Sequence, residues 1–170
     1  RAPTSEYTTS VSAEPGVVSL GGDVVDFNLS EEEQMLREMV RDFTRAEIMP
    51  VAVHHDETGE FPEAVCRKAW EYGLMNVHIP EAHGGLGLSA MGGVVIGEET
   101  AYGCSGIATA MEANNLAEAP LILAGSDALK RRFLVPMSER FMMASYAVTE
   151  PSAGSDVSGL KTTAVKRGDH

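Results

Sequence analysis

The sequence predicts a mainly α-helical domain that gives way, towards its C-terminal side, to the first strands of a β segment. Three observations predict it. Met35, Leu36, Met39, Val40 and Phe43 recur at helical spacing behind Ser30-x-x-Glu33, a capping box in which each side chain satisfies an orphan backbone N–H. Residues 89–103 and 105–119 make two further helical stretches, the second strongly apolar. Residues 141–148 are apolar and β-compatible, and the turn formers Pro151, Ser152, Gly154, Ser155 and Asp156 follow them.

Composition narrows the function classes. The 170 residues are about one domain's worth of chain, enough to bury roughly 70% of the unfolded surface. The formal charge of −12 argues against nucleic acid and anionic membrane surfaces as partners. No apolar run approaches the ~20 residues that span a bilayer. Cys66 and Cys104 form no C-x-x-C unit and read as buried thiols in a reducing compartment.

The chain opens on Arg1, so the expectation is a processed or cut N-terminus. Residues 1–28 are rich in Ser, Thr, Gly and Val and carry Glu6, Glu14, Asp23 and Asp26, unlike an Arg-rich, acid-poor transit peptide. They read as a flexible arm. The run Val17–Leu20 is too short and isolated to carry a strand prediction.

The elements then follow in order. In the first helix Glu31, Glu32 and Glu33 suit the positive N-terminus, the apolar stripe reads as core packing, and Pro50 marks the end. Residues 51–58 add a short helical turn that Gly59 breaks. A further helix starts at Pro62 as its first helical position, carries Val65, Cys66, Ala69 and Trp70, and stops at Gly73 in a left-handed conformation. Residues 74–88 read as a loop. Gly92, Gly93 and Gly97 weaken the 89–103 helix and suggest close helix–helix contact. Residues 119–124 are apolar and Gly125 ends them; Ser126 caps a helix from Asp127 towards Leu134, on which Lys130, Arg131 and Arg132 read as a solvated face. Residues 136–140 read as a loop, 160–165 as an alternating strand, and 166–169 as a hairpin turn.

Two motifs look functional and fail on context. Gly85-Leu86-Gly87-Leu88-Ser89-Ala90 fits G-x-G-x-x-A, but that fingerprint needs a strand before it, a helix after it and an acidic residue about 20 positions on. Here the flanks read as helices, and the position twenty beyond Gly85 is Ser105. His54 and His55 are adjacent, and His78 and His83 sit on a loop; no H-E-x-x-H or Cys-His set forms, so no metal is expected. No Ser-His-acid grouping follows from spacing either.

Residues 146–156 are the most specific stretch. From the residues alone this is either an ordinary turn or a place where small side chains leave amides open to a ligand. The pattern Tyr146-x-Val148-Thr149-Glu150-Pro151-x-Ala153-Gly154-Ser155-Asp156 resembles the flavin-contacting signature of the acyl-CoA dehydrogenases. The resemblance runs from about Leu29 to His170, and Pro80-Glu81-x-x-Gly84-Gly85-Leu86-Gly87 looks like a loop of that family's helical domain. It implies a flexible arm at 1–28, the family's helical N-terminal domain at 29–140, and the start of a truncated middle β-domain at 141–170.

The resemblance also implies chemistry. FAD is the expected cofactor, held by Tyr146, Ala147, Val148, Thr149, Gly154 and Ser155, with Thr149 hydrogen-bonding the flavin. Ser155 is expected to reach the acyl-CoA as well. Residues 106–116 are similar to the helix lining the acyl pocket of medium-chain members, which implies Ala108, Thr109, Glu112 and Leu116 as substrate-binding residues with Glu112 at the blind end. Ala108 stands where a Gln is usual. The expected reaction is oxidation of a medium-chain fatty acyl-CoA to the trans-2-enoyl-CoA in mitochondrial β-oxidation. Electrons pass to electron-transfer flavoprotein. The family's carboxylate base lies in a C-terminal domain beyond this sequence, so no residue here is expected to be catalytic. Homotetramerisation uses the same missing bundle. A short- or branched-chain enzyme, and a non-catalytic helical interaction module, are the alternatives.

Overall fold

The computed structural model describes residues 28–168 and, ahead of them, the backbone of three short strands. β1 (Thr9–Val11), β2 (Val17–Leu20) and β3 (Asp23–Asp26) form an antiparallel meander in the order β1-β2-β3, with Thr9 opposite Leu20 and Leu20 opposite Asp23. The Val17–Leu20 run, too short to predict as a strand, is the centre of that sheet.

Among the described residues six α-helices follow: α1 (Glu31–Phe43), α2 (Ala52–Thr58), α3 (Glu63–Glu71), α4 (Ala90–Gly103), α5 (Ser105–Ala124) and α6 (Asp127–Glu139). The capping box forms as read: Glu33 N–H donates to Ser30 Oγ at 3.2 Å, and Ser30 N–H donates to Glu33 Oε2 at 2.9 Å. α1 does not stop at its α-helical end. It continues as one π-helical turn, Thr44–Ile48, closed by Met49 N–H donating to Thr44 O at 2.9 Å. Gly59 and Gly73 take positive φ of 69° and 70° after α2 and α3.

α4 packs between α1 and α5, while α3 and α6 close on α5. The main core joins Val40, Phe43, Ile48, Val65, Leu74, Val77, Ile96, Ile107 and Met111. A smaller cluster of Ile79, Leu134 and Met137 lies under Leu121, Ile122, Met142 and Ala144.

Several expectations need correction. Met35 and Met39 are 63% and 40% exposed, so the core-facing stripe of α1 is narrower than its apolar one: Val40 and Phe43 are buried and Leu36 packs half-buried against the core. Pro62 caps α3 from outside rather than opening it. α5 runs on through Pro120, and α6 runs on through Pro136 to Glu139, where a loop was expected. Each proline removes one amide donor, and packing against the neighbouring helices outweighs that loss. Residues 141–148 and 160–165 form no strand; beyond α6 the described β structure is a single bridge, Glu150 with Ala153. A strand needs a backbone partner, and the described residues supply none there. The end of the expected turn at 166–169 lies outside the described residues.

Of the α4 glycines, Gly97 has open space where a Cβ would stand, and a Cβ on Gly93 would lie 2.6 Å from His78 Nε2. The close helix approach falls instead at Gly103, whose Cβ would meet Thr44 Cγ2 at 2.5 Å. The G-x-G motif has a structural origin. A Cβ on Gly85 would lie 2.0 Å from the carbonyl oxygen of Ile79, and Gly87 has φ of 60°. α3 precedes this loop and α4 follows it, so no strand feeds it.

Candidate active site

The site grows from a polar network buried inside an otherwise apolar bundle. Asn76 sits on the loop after α3 with φ of 59°, a conformation Asn tolerates better than most residues. Its Nδ2 donates to Met137 O at 2.8 Å, and its Oδ1 accepts from Asn114 Nδ2 at 2.8 Å. Asn114, on α5 and 0% exposed, also donates to Met142 O at 2.8 Å and accepts from Ala144 N–H at 2.7 Å. Trp70 Nε1–H shares the Met137 carbonyl at 3.0 Å. Residues 142–144 are thereby fastened to α5 as an extended strap.

Beyond that anchor the strap opens. Among the described residues, Tyr146, Ala147, Val148 and Thr149 have no hydrogen-bond partner through backbone or side chain. Tyr146, Ala147 and Thr149 are exposed and Val148 is half-buried. Glu150 and Ala153 then exchange two backbone hydrogen bonds, of 3.0 and 3.1 Å, around Pro151 and Ser152. The Glu150 carboxylate accepts from Lys161 N–H at 2.9 Å, from Thr162 N–H at 2.8 Å and from the Thr162 hydroxyl. The Thr162 hydroxyl, then the two amides, hold its pKa below the ordinary carboxylate value. Asp156 Oδ1 accepts from Ser158 N–H at 3.0 Å. Gly154 and Ser155 stand exposed on this clamped turn, and Ala153 is buried beneath it.

On α5, Thr109, Glu112 and Leu116 recur at i, i+3 and i+7, one face of the helix. Thr109 is exposed and returns its hydroxyl to Ser105 O at 2.8 Å; Leu116 is 59% exposed. Glu112 is half-buried and held by Asn115 Nδ2 donating to Oε2 at 2.8 Å. It lines a groove of about 490 Å3 with His78, Gly93, Val94 and Gly97. Ala108 lies on the buried side with Ile107 and Met111, apart from the exposed strip.

Glu118 was not singled out in the sequence. It is 0% exposed, neither carboxylate oxygen has a partner, and burial, then the nearby Glu112 charge, pushes its pKa up to about 8. Its only signal in the sequence is a charge on an unusually apolar helix. Nor was the Asn76–Asn114 pair given a role, although two adjacent asparagines on an apolar helix mark it as holding buried polar work.

The helical bundle thus pins residues 142–144 and leaves the main chain of residues 146–149 unpaired. Residues 30–140 match the family model described as acyl-CoA dehydrogenase, N-terminal domain, and the chain belongs to the acyl-CoA dehydrogenase family. A probable medium-chain specific acyl-CoA dehydrogenase, mitochondrial, from Caenorhabditis briggsae is 38% identical over 145 residues, covering 85% of this chain and 36% of that protein. The solved butyryl-CoA dehydrogenase of Megasphaera elsdenii superposes with a TM-score of 0.74 at 29% identity, covering 85% of this chain and 39% of its own. An acyl-CoA dehydrogenase complexed with FAD from Bacillus anthracis gives 0.70 at 29% identity, covering 79% of this chain and 23% of its own. The chain thus spans well under half the length of these relatives. Among the described residues, no helix is long and apolar enough to cross a membrane.

Proposed function

We propose that this chain supplies the flavin-facing and acyl-facing walls of an FAD-dependent acyl-CoA dehydrogenase that oxidises medium-chain fatty acyl-CoA to trans-2-enoyl-CoA. The observation that carries the reading is the stretch 146–149: exposed save for half-buried Val148, free of hydrogen bonds, and continuous with residues 142–144, which Asn114 anchors two residues along α5 from Glu112. Unpaired amides and the Thr149 hydroxyl suit the carbonyls and ring nitrogens along the edge of a flavin. When bound, FAD supplies the acceptor for the hydride that leaves the acyl β-carbon. This chain's own residues bind and orient. Thr149 and the backbone of Tyr146, Ala147 and Val148 fix one edge of the ring. Gly154 leaves the turn's backbone open to it, and Ser155 orients the coenzyme portion of the substrate. Thr109, Glu112 and Leu116 wall the acyl chain, Ala108 lies behind them, and together they exclude water from it.

The finer points belong to the same reading. Residues 29–140 are the helical domain and 141–170 begin the next one. Electron-transfer flavoprotein takes the electrons, the full-length protein is a homotetramer, and the mitochondrial matrix is its compartment, in keeping with the Caenorhabditis briggsae relative. The proton-abstracting base is not among these residues.

Chain length is where the reading is most open to test. A charged, half-buried Glu112 denies room to further methylenes, each of which gains roughly 0.8 kcal/mol when buried. Glu112→Gly in the full-length enzyme is expected to raise kcat/KM for acyl chains two methylenes longer by about ten-fold relative to the preferred chain. Thr149→Ala is expected to lower FAD occupancy without unfolding the protein. An unchanged chain-length profile removes Glu112 as the floor. Full flavin content in a double Thr149→Ala, Val148→Pro variant overturns the strap as the flavin contact.

A further inference from the structure

A second polar pocket lies away from the strap, where the π-helical turn after α1 meets the end of α4. Its volume is about 390 Å3. Arg37, Arg41 and Arg45 recur at i, i+4 and i+8, one stripe of the helix, and Thr44 shares that stripe three residues beyond Arg41.

The groups differ in what they are already doing. Arg41 is committed: its guanidinium meets both oxygens of Glu99, Nε donating at 2.9 Å and Nη2 at 2.5 Å. Arg37 is not: its Nε is buried and has no partner. Arg45 has only Asp42, at 4.0 Å and 83% exposed, a separation at which solvent carries most of the interaction. Thr44 is 1% exposed, and its hydroxyl oxygen is buried without a partner. Its methyl group already fills the space over Gly103, which fixes the rotamer. A threonine in a helix ordinarily returns its hydroxyl to a carbonyl a turn back, as Thr100 does to Ile96 O at 2.8 Å. Thr44 does not. Leaving such a group unpaired in the fold costs about 1–3 kcal/mol.

Among the lining residues, Arg41 and Glu99 cancel and Arg37 and Arg45 stand against Glu98, a formal balance of one positive charge; Asp42, highly exposed beside Arg45, lies outside the lining. We propose that this pocket binds a phosphate group, with Arg37 and Arg45 donating to its oxygens and the Thr44 hydroxyl donating from the floor. Paired guanidinium forks and a hydroxyl match a tetrahedral oxyanion, which accepts several charge-assisted hydrogen bonds at once. Tyr102, 78% exposed, stands at the rim and offers a ring face to whatever organic group the phosphate carries. Glu98 opposes the anion and sets the affinity lower than the arginines alone would give. This site shares no residue with the flavin-facing strap, so it stands or falls apart from the proposed reaction.

The test is a titration of the full-length, FAD-loaded protein by calorimetry and thermal shift, with potassium chloride holding ionic strength constant. The probes are inorganic phosphate and phenyl phosphate. Phosphate is expected to raise Tm beyond the chloride control. Arg37→Met is expected to weaken binding at least ten-fold, and Thr44→Val, which keeps the shape and removes the hydroxyl, at least three-fold. Glu98→Gln is expected to tighten it at least three-fold, a gain that no folding defect can imitate. Tighter binding of phenyl phosphate than of phosphate marks an ester as the ligand; equal binding marks the free ion. No phosphate effect beyond chloride, or equal affinity in the wild type, Arg37→Met and Glu98→Gln proteins, overturns the site.

Discussion

At the scale of single residues, Glu118 is the side chain most at odds with its surroundings. It is 0% exposed and unpartnered, and burial, then the Glu112 charge, pushes its carboxyl up to about 8 from an ordinary value of 4.5. The folded state therefore keeps a proton that the unfolded chain loses. Stability is full below pH 4.5, falls as the pH rises towards 8, and levels off above that. The loss amounts to at most about 1.4 kcal/mol per pH unit inside that window. Glu118→Gln keeps the shape and removes the titration. Urea denaturation at pH 5, 6, 7 and 8 is expected to show the variant gaining on the wild type as pH rises, by a few kcal/mol at pH 8. Parallel curves would show that Glu118 is solvated in the folded protein. Gly85 makes a second prediction at this scale. A methyl group there would enter the backbone of Ile79 at 2.0 Å, and backbone does not give way as a flexible side chain does. Gly85→Ala is expected to cost about 3 kcal/mol or more in denaturant unfolding. Gly97→Ala meets open space and is expected to be neutral or stabilising by up to about 1 kcal/mol.

At the scale of elements, the helices were legible because their signals are local. Ser30 with Glu33 and Ser126 cap where the sequence places them, and Ser89, read as the first residue of its helix, caps it instead. Removing the first cap by Ser30→Ala is expected to cost about 1 kcal/mol, read from the urea midpoint. What the sequence did not disclose depends on partners distant in the chain. Pro120 and Pro136 signal helix ends locally, yet packing of α5 and α6 against their neighbours carries the helices past them. The π turn at Thr44–Ile48 has no composition of its own; it arises where Gly103 lets α4 close on Thr44 and Ile48. The apolar run at 141–148 is β-compatible in composition, but strand formation is a property of two segments, and here the strap pairs with the side chain of Asn114 instead of another strand. In the candidate site, the motif at 146–156 announced an open backbone. The anchor that holds it open comes from Asn76 and Asn114, which no linear pattern connects. The β2–β3 pairing is the reverse case: Gly21 and Gly22 between two Val-containing runs are a local hairpin signal that a Ser- and Thr-rich composition obscures.

At the scale of the whole molecule, the Asn76–Asn114 network joins parts that apolar packing leaves separate. The main core ties α1, α3, α4 and α5 together, and the smaller cluster ties α6 to the loop after α3. Asn76 and Asn114 link the two clusters and the strap through Met137 O, Met142 O and Ala144 N–H. Every side-chain group of Asn114 that this network uses is satisfied, so the network rigidifies rather than strains the interior. Replacing Asn114 by Leu keeps the volume and strips partners from the half-buried Ala144 amide and from the Asn76 Oδ1 and Met142 carbonyl oxygens. The expected cost is about 2–4 kcal/mol in unfolding free energy. The more telling expectation is its distribution. Amides of α1 and α4 should lose protection from hydrogen exchange only by the global amount. The Ala144 amide and its neighbours in the strap should exchange through local opening, because the bond that orders them is gone while the main core stands. If the strap holds the flavin as proposed, the same variant of the full-length protein is expected to lose flavin more readily, since ordering the strap would then carry an entropy cost that Asn114 now prevents. Uniform loss of protection across both cores would mean that the strap is held by the rest of the fold and that the asparagines merely fill it.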